Sequence, residues 1–194
     1  ILPAYGDLDG GSNKFSSKYN SFRTNLVKRF SKGVQINANY TWGRAMTNSS
    51  SLAEATVQNP YDLHQEWERA SIDLRHIFQL AYVYELPFGK GKHFLNSAHG
   101  VVNQAFGGWS VNGLYTHMSG EPFSVYSGVR TANNSHTSRA DILGDKPAVN
   151  YQDVPGVAGP VVFDQGLVGP VFAFPAAGSD GAGRNIFRAA AYWN

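Results

Sequence analysis

Between Val34 and Gly43 apolar and polar side chains change places at every step: Val34, Ile36, Ala38, Tyr40 and Trp42 against Gln35, Asn37, Asn39, Thr41 and Gly43. Only an extended chain puts alternate residues on opposite sides, so the pattern demands a β-strand with one apolar and one polar face. Three other segments repeat it. Phe22, Leu26 and Phe30, with Thr24, oppose Tyr19, Ser21, Arg23, Asn25 and Arg29. Phe78, Leu80, Tyr82, Tyr84 and Leu86 oppose Arg75, Gln79 and Glu85. Trp109, Val111 and Tyr115 oppose Ser110, Asn112 and Thr116, with Leu114 as the exception. The expected strands are therefore 18–30, 34–45, 75–86 and 109–119, with a short fifth one in "PFSVYSG" at 122–128.

The connections differ in length. "SKG" (Ser31–Gly33) is a tight hairpin signal. About thirty mostly polar residues, Met46 to Leu74, join the second and third strands, and a loop this long argues against a compact soluble domain. In the third connection Phe94, Val101, Val102 and Phe106 have the spacing of a short amphipathic helix. After Ser119 the chain is dominated by Gly, Pro, Ala and Asn, so 46–74 and 120–194 read as long loops. The opening "ILPAYGDL" lacks a Met and reads as mid-chain, which makes the expected object a fragment.

Charged residues are only 15% of the chain, while Tyr is 10 and Phe 12, too aromatic for a disordered segment. A net charge of +2 is no footprint for nucleic acid. No cysteine is present, which removes disulfides, thiolate nucleophiles and cysteine metal sites. No apolar run approaches the roughly 18 residues of a membrane helix, but strands cross membranes too.

Two environments suit such strands. In a soluble sandwich the apolar face packs on a second sheet and the polar face is wet, usually rich in Lys, Glu and Asp. Here the polar face of the second strand is small and uncharged, as in a crowded or water-filled barrel interior. The apolar face gathers rings toward strand ends (Tyr40, Trp42, Tyr82, Tyr84, Trp109), where hydrocarbon meets headgroups. The reading is all-β: an antiparallel meander of about four to five strands from a large transmembrane β-barrel with long loops.

The runs "SSKYNSFRTNLVKRFSKGVQINANYTWGRAMTN", "IDLRHIFQLAYVYELPFGKGKHF", "GGWSVNGLYTHMSGEPFSV" and "FAFPAAGSDGAGRNIFR" resemble the C-terminal barrel of TonB-dependent outer-membrane receptors. The branch carrying an N-terminal carboxypeptidase-regulatory-like domain is the most similar. The resemblance implies a barrel of about 22 strands with a plugged lumen in the bacterial outer membrane. It also implies energy-coupled uptake of a scarce or large solute. The implied partners are outer-membrane lipid, the plug domain and remaining barrel strands, an inner-membrane energy-coupling complex and a solute of unknown identity, with no nucleic acid. Against the family pattern the plug and the closing strands are expected to be absent from this chain.

On that reading Phe22, Leu26, Ile36, Tyr40, Trp42, Leu80, Tyr82 and Trp109 face lipid, and Arg23, Arg29, Asn37, Asn39 and Gln79 face the lumen. "SKG" and "PFGKGK" would be periplasmic, with Lys28, Lys32, Lys90 and Lys92 near phospholipid phosphates or simply solvated. The loop "NPYDLHQEWERASIDLRH" brings Asp62, His64, Glu66, Asp73 and His76 into a short span. These are oxygen and imidazole donors for calcium or a transition ion, at a spacing that matches no established motif. The plainer reading is a surface loop with its acids solvated or paired to Arg69 and Arg75. No cofactor is otherwise expected. G-x-S-x-G and HExxH are missing, and "GKGK" lacks the spacing and the Ser/Thr of a phosphate-cradling loop. No catalytic residue is therefore assigned. The alternatives left open are a soluble β-rich hydrolase, metal-assisted through Asp62, His64 and His76, and a soluble β-rich binding module.

Overall fold

The computed structural model describes residues 13–49, 57–59, 62–97, 99–131, 138–156, 158, 160–163 and 170–194. The opening octapeptide and Glu54 lie outside them. In chain order the elements are β1 Ser17–Ser31, β2 Val34–Thr47, β3 Glu68–Arg69, β4 His76–Glu85, α1 Val101–Phe106 and β5 Ser110–Met118. Five two-residue strands follow: β6 Pro122–Phe123, β7 Asp141–Ile142, β8 Phe172–Ala173, β9 Phe187–Arg188 and β10 Tyr192–Trp193. Two compact units emerge: a sheet unit (Ser21–Gly43, Arg75–Ser119, Ala191–Asn194) and a loop unit (Ile1–Asn20, Arg44–Leu74, Gly120–Ala190).

In the sheet unit the strand order is β1-β2-β4-β5-β10. The alternation read from sequence is locked by register. Val34 lies opposite Tyr84, Ile36 opposite Tyr82, Ala38 opposite Leu80 and Tyr40 opposite Phe78. The same rows continue onto β5, with Tyr84 opposite Val111, Tyr82 opposite Gly113 and Leu80 opposite Tyr115. Three strands thus contribute to one continuous apolar face. Tyr82 fills the space that Gly113 leaves: a Cβ there would stand 2.9 Å from the ring. Among the described residues of this unit only Gly43 and Gly89 are buried, so these residues lay no second layer over either face. Leu26 is 64% exposed and Phe22 60%.

Boundaries moved in instructive ways. β1 runs on through Ser31, leaving Lys32–Gly33 as a two-residue turn with φ of 51° and 78°. Two successive positive φ values make a type I′ turn, whose twist matches that of the flanking strands. The turn is thus one residue tighter than "SKG" suggested. β10 corrects the assignment of 120–194 to loop: Tyr192 pairs with Met118 and Trp193 with His117. Two residues are too few for periodicity to reveal. "PFSVYSG" contributes only Pro122 and Phe123 as strand, and they pair with Arg188 and Phe187.

The loop unit is more ordered than its composition suggested. β6 pairs with β9, β7 with β8, and β3 with the end of β2 at Met46 and Thr47. Its apolar centre is small: Phe123, Phe163, Phe172 and Phe187 contact one another with ring centroids 5.0–6.4 Å apart. Among the described residues the buried hydrophobic side chains are Ala140 and Phe187.

Replacing Gly33 by Val places a β-branched side chain at positive φ, with its Cβ 3.3 Å from the Glu85 carbonyl oxygen. The expected loss is about 1–2 kcal/mol, against a few tenths for Gly33→Asn. Urea unfolding of the protein folded in detergent or vesicles measures both.

Candidate functional site

The polar face of the sheet unit is knit by side-chain amides. Asn25 donates to Asn37 at 3.1 Å and to Asn39 at 2.5 Å, and Asn39 donates to Asn37 at 3.3 Å. Gln79 stands directly opposite Asn39 in register. Asn25 therefore shares a face with Asn37, Asn39 and Gln79. Of the residues expected to face the lumen, these bonds and the register bring Asn37, Asn39 and Gln79 together, and alternation from Asn25 places Arg23 beside them. Phe22 and Leu26, and the even-numbered positions of β2 and β4, fall on the other. Trp109 precedes β5 in the same parity as Val111. Tyr40 closes its row with its hydroxyl 2.8 Å from His76 Nδ1.

In the loop unit the described core is built from charge. Leu63–Glu66 forms a turn in which Glu66 N–H donates to the Leu63 carbonyl at 3.3 Å. This turns the Glu66 carboxylate onto Arg139, whose Nη1 and Nη2 donate to its two oxygens at 3.2 and 3.0 Å. The fork geometry of guanidinium matches a carboxylate, and such charge-assisted pairs hold both partners rigidly. Arg139 Nε also donates to the Ala182 carbonyl at 2.7 Å, and its backbone N–H donates to Gln58 Oε1 at 3.0 Å. Arg184 brings Nε to 3.9 Å from Glu66 and donates to the Ser49 carbonyl at 2.6 Å and to the Thr47 carbonyl. All three side chains are at most 4% exposed.

Asp73 anchors a second cluster. Its carboxylate accepts from Ala45 N–H at 2.7 Å and from Arg188 Nη2 at 2.7 Å. Arg188 Nη1 also donates to the carbonyls of Asp73 and Gly120, each at 2.8 Å. Asn185 completes the group, donating through Nδ2 to the Arg69 carbonyl at 2.8 Å and through its backbone to Ser124 Oγ at 2.9 Å.

The acids proposed for metal binding are thus occupied in different ways. Glu66 and Asp73 are held by arginines from 73 and 115 residues away, where sequence had suggested Arg69 and Arg75 as partners. Asp62 caps its own turn, accepting from His64 N–H at 3.1 Å and from Gln65 Nε2 at 2.9 Å. His76 begins β4 and meets Tyr40. Among the described residues no group of three or more His, Asp or Glu is placed to hold a metal ion. Arg139, Arg184 and Arg188 were missed as structural residues. The available signal was an acid-rich stretch at 62–73 and arginines far downstream in "SRAD" and "GRNIFR".

A long-stranded antiparallel sheet with an apolar face on one side and a small polar face on the other suits the wall of a membrane β-barrel. Residues 1–194 match the family model described as outer membrane beta barrel domain. The chain belongs to that family, and its place is the bacterial outer membrane. Comparison with curated proteins and with solved structures gave no match.

Arg139→Met leaves the Glu66 carboxylate buried without its fork partner, an expected loss of about 3–5 kcal/mol. Adding Glu66→Gln removes the stranded charge and recovers part of it. Limited proteolysis within 120–190 reads both variants, with early cleavage expected in the first and slower cleavage in the second.

Proposed function

We propose that this chain forms part of the barrel wall of a TonB-dependent receptor, a transporter and not an enzyme, that takes up a scarce or large solute across the outer membrane. The observation that carries the reading is the register-aligned sheet: Val34, Ile36, Ala38 and Tyr40 share rows with Tyr84, Tyr82, Leu80 and Phe78. No residue of the sheet unit covers that face, and hydrocarbon is the environment that suits it. The motifs that resemble the receptor family supply the finer assignment. In the intact protein the plug would meet the face bearing Arg23, Asn37, Asn39 and Gln79, with the remaining strands closing the barrel. Energy would arrive from an inner-membrane complex that engages another part of the molecule. The solute contacts would come from the loop unit, whose arginine–carboxylate clusters hold Gln58, Glu66, Asp73 and the 180–188 segment in place.

Lysine at Ile36 or Leu80 is expected to cost about 2–4 kcal/mol if these positions lie at the bilayer midplane, whereas Asn37→Lys is expected to be tolerated. Yield of heat-modifiable, membrane-inserted protein measures the difference. Equal tolerance at both faces would overturn the lipid assignment. For transport, accumulation of labelled peptide, oligosaccharide, siderophore and cobalamin is compared in cells with and without the protein. Uptake of one of them is expected to need both the protein and the proton gradient. Uptake that survives collapse of the gradient would refute energy coupling.

A further inference from the structure

In the sheet unit the β1–β2 turn and the β4–β5 connection share one end: Glu85 N–H donates to the Gly33 carbonyl at 2.7 Å, and Leu86 N–H to the Trp109 carbonyl at 2.8 Å. The described residues of the connection, 86–97 and 99–109, bury only Gly89. None of the residues of α1 is buried. Val101 is 79% exposed, Phe106 58%, Trp109 60% and Phe94 51%. A turn shaped for water shows its polar groups. This one exposes several large apolar side chains within one short span of chain, the kind of surface that meets something.

Its backbone polarity, in contrast, is spent internally. Gly89 N–H donates to the Phe94 carbonyl at 2.9 Å, and Phe94 N–H to the Pro87 carbonyl at 2.8 Å. Lys90 N–H donates to Asn103 Oδ1 at 2.8 Å and Gly91 N–H to Asn96 Oδ1 at 3.0 Å. Trp109 Nε1 donates to the Ala105 carbonyl at 2.8 Å, tying the helix end to the start of β5. A Cβ on Gly89 would stand 2.7 Å from Gly107 Cα, so the two backbones are in close contact. Each amide paired in this way is one fewer to strip of water when the segment meets an apolar phase.

Charge selects the occupant. The sheet unit contains seven Lys and Arg and a single acid, Glu85. Lys92 takes that acid at 2.5 Å. Lys32 and Lys90, both exposed, belong to the same end. Apolar rings beside unneutralised lysines match the boundary of an anionic bilayer, with acyl chains beneath and phosphates above.

We propose that residues 86–109, with α1, seat in the interfacial layer of a phospholipid leaflet. Phe94, Val101, Phe106 and Trp109 enter the acyl boundary, and Lys32 and Lys90 engage anionic headgroups. This rests on the reading of the adjoining sheet face as lipid-facing. Trp109 continues the parity of Val111 and Tyr115, so the platform extends that face beyond the strands.

The test uses the protein that carries this chain, folded into phosphatidylcholine vesicles with or without phosphatidylglycerol, and any cysteine elsewhere in it replaced. The chain itself has none. A solvatochromic dye is placed in turn on Val102→Cys, on Val101→Cys as a second position, and on Ile36→Cys and Asn37→Cys as references. Blue-shifted emission shielded from aqueous iodide is expected at Val102 or Val101, growing with phosphatidylglycerol. Lys32→Gln and Lys90→Gln are expected to lower the docked-to-undocked ratio about fivefold each in anionic vesicles. Water-like emission at both α1 positions with a hydrocarbon-like signal at Ile36 overturns the proposal and leaves the lipid-facing sheet standing. Water-like emission at Ile36 as well overturns both. A signal indifferent to phosphatidylglycerol and to the lysines overturns the headgroup assignment.

Discussion

Register is the constraint on which the sheet depends. Because side chains alternate with period two, a one-residue slip of β2 against β4 would set Asn37 against Tyr82 and turn Ile36 toward the amide face. No hydrophobic core among the described residues corrects such a slip, since those of the sheet unit bury only two glycines. Specification has to come from the strands themselves. Lys32–Gly33 fixes the first hairpin by turn geometry. The fit of Tyr82 over Gly113 and the Asn25–Asn37–Asn39 amides then pin particular residues opposite one another. Amides satisfied among themselves also let β2 contribute only small, uncharged side chains to that face.

The loop unit solves the opposite problem. With much Gly, Pro and Ala it has little apolar volume to bury, and its described hydrophobic centre is four phenylalanine rings. Arginine takes the place of a core. One guanidinium offers five donors in a rigid fork, so Arg139 alone joins Glu66 and the Ala182 carbonyl, while Arg184 reaches the carbonyls of Thr47 and Ser49. Each arginine therefore ties together segments that no short-range pairing would join. Buried ion pairs are poor sources of net stability but stringent about geometry, because a misplaced partner strands a charge. Such a design suits loops that must hold one shape without a thick core.

These two ways of specifying structure explain what the sequence disclosed. The four long strands were legible because period two is local: Val34 to Trp42 announces its faces with no knowledge of its neighbours. Asn37, Asn39 and Gln79 followed for the same reason, and the register sets Asn39 directly opposite Gln79. Glu66 and Asp73 were noticed but misread, because their partners lie 73 and 115 residues away and a side-chain fork leaves no periodic trace. β10 escaped because Tyr192 and Trp193 become a strand only by pairing with β5. The short helix at Val101–Phe106 was legible from its spacing, yet spacing alone implied a buried apolar face, and none of it is buried.

Charge distribution joins these observations. The sheet unit has seven basic residues and one acid, whereas the loop unit has nine basic residues and thirteen acids. A chain with a net charge of only +2 has thus sorted its charges by unit. In the loop unit acids are consumed as anchors for buried arginines. In the sheet unit an acid would have no such use: on the apolar face it would be costly in hydrocarbon, and beside the exposed rings of residues 86–109 it would repel anionic headgroups. The near-absence of Asp and Glu there is what a surface built against phospholipid requires. A soluble β-sheet of the same length would ordinarily use Glu and Asp to keep its exposed face and edges in water.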